Sequence, residues 1–161
     1  MKNFLKELVP YIIIILVVVL IRTFIVTPIR VDGPSMNPTL TNGNIMILNK
    51  LAKIDRFDIV VIESSKAHDT LIKRVIGMPG ETIEVKDGKL YINDKLVKDK
   101  YGSGVTRDFD KIKIPKNEYF VMGDNRPISA DSRIFGTFNK KDIKGTTRLV
   151  LFPFKRIGFV K

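Results

Sequence analysis

Apolar and polar positions are unevenly distributed along this chain. From Leu8 to Val26 the residues are almost wholly apolar, with YIIIILVVVLI at the centre and Arg22 as the only charge. One helix crosses the hydrocarbon core of a bilayer with roughly 20 such residues, so the pattern predicts a transmembrane helix over 8–28. A helix that is apolar all round has no face to turn to water, which argues against a surface helix. Arg22 near the far end can reach the interface, and Pro28 ends the helix in this reading. A cleavable leader would show small residues after the apolar run. Here IRTFIVTPIR follows, so the segment reads as an uncleaved anchor behind a short cytoplasmic tail, residues 1–7. Lys2, Lys6 and the amino group nearly balance Arg22 and Arg30 across the span. The positive-inside rule is therefore nearly balanced, and the preferred orientation is a short tail inside with residues 29–161 outside.

After the anchor the pattern changes to short runs separated by turn residues. Ile45–Leu48, Phe57–Ile62 and Thr70–Ile76 read as strands rich in β-branched residues. Glu63–Asp69 reads as a polar loop and Gly77-Met78-Pro79-Gly80 as a turn. Asp87-Gly88 between Thr82–Val85 and Lys89–Ile92 is a hairpin signal. Lys98–Lys111 is charged and contains glycine, and is expected to be a mobile loop. Glu118–Met122 reads as a strand, Gly123–Gly136 as a long ordered loop, and Arg148–Phe154 and Ile157–Val160 as closing strands. The fold class is therefore mainly β: a compact all-β domain of short antiparallel strands, with a small hairpin insertion around 80–118.

Composition narrows the chemistry. The 161 residues contain no cysteine, which removes disulfides, thiolate metal sites and cysteine nucleophiles. His68 is the only histidine, so no site built on several imidazoles is available, and no metal or cofactor signature appears. A net charge of +11 favours a polyanionic partner. With an anchor present and no nucleic-acid motif, the anionic lipid surface of a membrane is the economical choice.

The candidate chemistry lies just past the anchor, in Val31–Leu40, VDGPSMNPTL. Pro34 and Pro38 keep Ser35 out of a helix by fixing φ and pushing the preceding residues to extended geometry, while Gly33 permits an unusual φ. A stiff loop presenting one hydroxyl results, although the same residues also suit an ordinary surface turn. A nucleophilic serine needs a base. His68 lies in a polar loop beside Asp69 and Lys66, which suits a solvated histidine. Lysine can serve when neutral, yet a free lysine with a pKa of about 10.4 is under ~0.1% deprotonated at pH 7. Burial lowers that pKa, and Lys73 is the lysine set in an apolar strand. Alternation puts Lys73 and Val75 on one face and Ile72, Arg74 and Ile76 on the other; a lysine on an edge strand pointing to water fits the strand context equally well.

Three segments in order, GPSMNPTL around Ser35, LIKRVIGMPGE around Lys73 and MGDNRPISADSR at Met122–Arg133, resemble the type I signal peptidases. The likeness runs from the anchor to Phe154 and is nearest the compact Gram-positive type, since only about fifty residues separate Lys73 from Gly123. It implies a membrane-bound serine endopeptidase that removes signal peptides from exported preproteins, cleaving after Ala-x-Ala, without a cofactor. It implies Ser35 as nucleophile, Lys73 as general base and Ser129 as a hydroxyl hydrogen-bonded to that lysine. Asp131 and Arg133 are implied as a supporting ion pair. The Ser35 backbone N–H is the implied oxyanion donor; Gly33 occupies the place where many members carry a second, hydroxyl donor. Ile128 also replaces the usual polar residue. An extended substrate is implied between Asp32, Gly33 and Pro34 on one side and Thr70, Leu71 and Ile72 on the other. Rival readings are a self-cleaving Ser/Lys repressor, which would need a DNA-binding domain, a basic nucleic-acid-binding protein, and a membrane-tethered β-domain without activity.

Overall fold

The computed structural model describes residues 2–160. Helix α1 (Lys2–Phe24) contains the apolar run, and the stretch Glu7–Phe24 is wholly unburied by the rest of the chain. At 1.5 Å per residue the helix is about 35 Å long, enough for a hydrocarbon core of about 30 Å. The boundaries differ from those expected. The helix is already formed at Lys2, so the polar start is its first turns; Met1 lies outside the described residues. It ends at Phe24 rather than at Pro28, because the β-branched residues that follow pair as a strand, β1 (Val26–Arg30), against β2 (Ile45–Asn49). Pro28 sits within that edge strand, where a missing N–H is tolerated. Thr27 Oγ1 and Lys50 Nζ donate to the free carbonyls of Arg22 and Thr23, at 2.9 and 2.7 Å, which caps the helix end.

The remainder is two antiparallel sheets. In the larger, the order is β1, β2, β11 (Ile143–Phe152), β3 (Ile59–Ser64), β4 (Asp69–Gly77), β9 (Glu118–Met122) and β10 (Phe138–Asn139), with β12 (Gly158–Phe159) also on β11. The smaller, between β4 and β9 in sequence, has the order β7 (Lys95–Leu96), β6 (Lys89–Ile92), β5 (Thr82–Lys86) and β8 (Phe109–Lys113). The expected hairpin is thus the centre of a four-stranded sheet. β3 and β4 extend to Ser64 and Asp69, which shortens the polar loop between them to a tight turn. The segment expected to be a loop at Lys98–Lys111 gives way to β8 from Phe109. Its earlier part is tied down by the Asp99–Arg126 ion pair and by Ser103 N–H on Asp124 O. β11 begins five residues before the expected Arg148, because its first half is polar and shows no apolar run.

Strand alternation explains the cores. On β9, Tyr119 and Val121 join Val60, Ile62 and Val75 on one face. Phe120 and Met122 join Ile76, Ile83, Ile92 and Ile114 against the small sheet on the other. A separate cluster, Val31, Met36, Leu40, Met46, Ile59 and Val150, lies beneath the loop that carries Ser35. That loop is consequently fixed from below by its own apolar side chains.

Candidate active site

The loop after β1 is built to hold one hydroxyl in place. Gly33 has φ +79°, a left-handed conformation that glycine takes without strain, and its N–H donates to Asn42 Oδ1 at 3.2 Å. Met36 and Leu40 are buried, and the Leu40 N–H donates to Met36 O. Ser35, immediately before Met36, is half-buried. From the far end of the chain, Arg156 donates to Thr41 Oγ1 and Thr39 O at 2.9 and 3.0 Å.

Lys73 projects from β4 beneath this loop. Its Nζ donates to Ser35 Oγ at 2.8 Å and to Ile72 O at 3.2 Å, and only 4% of the residue is exposed. The strand therefore turns this lysine inward, not to water. Burial lowers its pKa below the ordinary lysine value; the charges of Asp131 and Asp69 oppose that shift without cancelling it. The pair is a hydroxyl in contact with an amine that has been made easier to deprotonate.

The loop after β9 closes the site from the other side. Asp131 is wholly buried: its Oδ2 accepts from Gly123 N–H at 2.9 Å, and its Oδ1 accepts from Arg133 N–H and Nε at 3.2 and 2.8 Å. Arg133 Nη2 completes the ion pair on Asp131 Oδ2 at 2.8 Å and also donates to Ser129 O. Ser129 and the Ser35 carbonyl both crowd the space at Gly123, but the Ser129 hydroxyl is buried and has no hydrogen-bond partner among the described residues. The bond from Ser129 to Lys73 implied by the family likeness is not formed among the described residues, where Nζ donates to Ser35 Oγ and to Ile72 O.

Several contributors carried no signal that residue reading had interpreted. Asn125 clamps the nucleophile loop: its N–H donates to Ser35 O at 3.0 Å and its Nδ2 to Pro34 O at 3.3 Å. Gly123 leaves no room for a side chain, since a Cβ there would stand 2.5 Å from Ser35 O and closer still to Ser129 Oγ. Arg74, next to Lys73 on the opposite face, makes a two-pronged pair with Asp124 at 2.7 and 2.6 Å, both side chains fully buried, with the Tyr101 ring 3.8 Å from the guanidinium carbon. The GDNR run at Gly123–Arg126 was the available clue to Gly123, Asp124 and Asn125, while Arg74 stood in the LIKRVIGMPGE segment.

The residues expected to line a substrate cleft fall on two edges. Asp32, Gly33 and Pro34 lead into Ser35, and Asp32 and Pro34 are exposed. Thr70, Leu71 and Ile72 pair with β3 on one side only, because β9 first meets β4 at Arg74 opposite Met122. Their other edge has no strand partner among the described residues. His68 is exposed in the turn between β3 and β4 and hydrogen-bonds to no serine among the described residues.

Residues 3–152 match the model of the family described as signal peptidase, peptidase S26. The chain belongs to that family. Signal peptidase I P of Bacillus subtilis subsp. natto is 43% identical over 91% of this chain and 88% of its own length. Signal peptidase I of Streptococcus pneumoniae serotype 4 is 36% identical over 98% of this chain and 97% of its own. Among solved structures, a signal peptidase I from Enterococcus faecalis V583 superposes with a TM-score of 0.54 at 35% identity, over 59% of this chain and 97% of that one. The fold is the mainly β fold of that enzyme, here joined to an N-terminal apolar helix of membrane-spanning length. Family membership makes the chain a hydrolase of the serine-peptidase class.

Proposed function

We propose that this protein is a membrane-anchored endopeptidase that removes signal peptides from exported preproteins, with Ser35 and Lys73 as its reactive dyad. The observation that carries the reading is the 2.8 Å contact between Lys73 Nζ and Ser35 Oγ in a site that disfavours the ammonium. Neutral Lys73 accepts the hydroxyl proton as Ser35 Oγ attacks the scissile carbonyl, and the ammonium then gives that proton to the departing amine. The acyl-enzyme is released by a water that Lys73 deprotonates in the same way. The Ser35 N–H, which donates to no acceptor among the described residues, is the proposed oxyanion donor. Gly33 brings no hydroxyl to that hole. Ser129 is proposed to take up Lys73 Nζ once Ser35 has lost its proton to it, and Asp131 with Arg133 to hold the loop that carries Ser129.

The free edge of β4 at Thr70–Ile72, facing Asp32–Pro34, suits an extended substrate added as a strand, with pockets between alternate side chains giving the Ala-x-Ala preference. The chain is proposed to divide into an anchor in the cell membrane and a domain on its extracytoplasmic face, close to the anionic lipid surface. The signal peptide's own apolar segment then delivers the bond to Ser35. Full-length protein in detergent, given a precursor ending its signal in Ala-x-Ala, is expected to cut after the second alanine, as read by mass spectrometry. Ser35→Ala is expected to abolish the product; an inert wild type would overturn the reading.

A further inference from the structure

The loop that carries Ser35 is gripped from a part of the chain that no motif marked. Val31 N–H donates to Asn44 O at 2.8 Å and Gly43 N–H to Val31 O at 2.9 Å, which closes residues 31–44 at their base. The leading half is held by Asn125, on Pro34 O and Ser35 O. The trailing half, Pro38–Asn44, is held by Arg156. Its Nη1 donates to Thr41 Oγ1 at 2.9 Å and reaches Asn44 Oδ1 at 3.4 Å. Its Nη2 donates to Thr39 O at 3.0 Å and reaches Pro38 O at 3.5 Å. A guanidinium is a planar fork with donors at fixed spacing, so this one side chain ties two backbone carbonyls of the loop to two of its side chains.

The position of Arg156 is itself fixed. β11 and β12 pair at Leu149 with Phe159 and at Val150 with Gly158. Between them the chain makes a single 3-10 turn, Phe154–Arg156, in which Arg156 N–H donates to Pro153 O at 2.8 Å. Val160 packs against the cluster of Val31, Met36 and Leu40 beneath the loop, and its N–H donates to Arg148 O at 2.7 Å. The guanidinium is therefore presented from the end of a paired hairpin and not from a free tail. Its partners are all neutral acceptors on one loop, and bonds from a charged donor are stronger than those between neutral groups. Arg156 lies beyond residues 3–152, so the family match assigns it no role.

We infer that Arg156 is a positioning residue: acting through Pro38–Asn44, it fixes the direction of the Ser35 hydroxyl. The inference rests on the reading of Ser35 as nucleophile. A reacting group displaced by about 1 Å can lose about 100-fold in rate; here Asn125, Met36 and Leu40 still hold the loop, so the loss is smaller. For full-length Arg156→Ala in detergent, kcat on a precursor is expected to fall about tenfold, with KM changed less than about twofold. The pH–rate profile should keep its wild-type shape, because Lys73 is untouched. Millimolar guanidinium chloride is expected to restore kcat in this variant, and sodium chloride is not. Guanidinium weakens folded proteins, so that gain cannot come from restored stability. Arg156→Lys should recover only part of the rate, because one ammonium does not span the acceptors as the fork does. A variant kcat equal to wild type, or a loss that guanidinium does not reverse, would overturn the inference. Amide hydrogen exchange, read by mass spectrometry, separates it from the peptidase reading. Faster exchange of residues 31–44 in Arg156→Ala and, to a lesser degree, Arg156→Lys, with β3, β4 and β9 unchanged, supports the clamp even if no precursor is cut. Unchanged exchange at 31–44 sinks it even if wild type cuts, and faster exchange throughout the domain in both variants would make Arg156 a general stabiliser instead.

Discussion

Gly123 sits where three parts of the site meet: the carbonyl of Ser35, the hydroxyl of Ser129 and the carboxylate of Asp131. A methyl group there would stand against backbone, which cannot give way as a flexible side chain can. Gly123→Ala is expected to lower kcat at least tenfold in a precursor-cleavage assay, with a smaller effect on melting temperature. Lys73 makes a second prediction at this scale. Its folded-state pKa lies below the ordinary 10.5, so between those two values the unfolded chain binds more protons than the folded one. Stability should therefore rise with pH through that window. Below the window the buried ammonium costs stability, so Lys73→Met is expected to melt higher than wild type at neutral pH while losing all activity, and the difference should shrink as pH rises. Thermal scans from neutral to pH 10 would show it. Ser35 and Lys73 were candidates in the sequence, a serine between prolines and a lysine in an apolar strand, but each pattern also suits a surface turn or an edge-strand lysine, and it was the family likeness that singled them out. The partnerless Ser129 hydroxyl was not legible there, because which bond a side chain makes depends on competing donors and acceptors that only the folded chain brings together.

β4 does two jobs with adjacent side chains. Lys73 faces the reactive loop, and Arg74 on the opposite face is locked to Asp124 in the loop after β9. The pair, fully buried and ringed by Tyr101 and Phe57 O, fixes the distance between the strand with the base and the loop with Ser129. Removing one partner leaves a buried charge alone, at a cost of about 3–5 kcal/mol. Asp124→Ala should lose that much in denaturant unfolding, and Arg74→Met/Asp124→Leu together should recover a large part of it. Alternation along β4 could be read directly from its sequence, as could the hairpin at Asp87-Gly88. The first half of β11 and the end of α1 could not. Ile143–Thr147 is strand because β3 pairs along it, joined by β2 from Thr146, and α1 stops at Phe24 because β1 is claimed by β2; both are decisions of tertiary pairing over local pattern.

For the whole molecule, the division is between a helix that the chain leaves bare and a β-domain whose cores are complete without it. α1 buries nothing in its apolar span, and its ties to the domain are the caps from Thr27 and Lys50. A chain beginning at Ile25 is expected to keep the domain's melting temperature within a few degrees. It should retain cleavage of a short soluble peptide but lose most of its rate on a precursor presented in lipid vesicles. Collapse of the fold on truncation, seen by circular dichroism, would show that the helix is structurally required. The short antiparallel strands and the hairpin at Asp87-Gly88 followed from turn residues and β-branched runs, while their division into two sheets, the smaller of four strands, did not. Nor did the grip of Arg156 on the Ser35 loop, because the two lie far apart in sequence.

The central claim is that a buried, readily deprotonated Lys73 is the base for Ser35. The direct measurement is the pH–rate profile of precursor cleavage by wild type beside Lys73→Arg, which keeps the length and charge but cannot give up its proton at accessible pH. Wild-type kcat/KM is expected to rise tenfold per pH unit and level off at an alkaline pKa below 10.5, with Lys73→Arg inactive throughout. A wild-type rate independent of pH across that range, or an active Lys73→Arg protein, would contradict it.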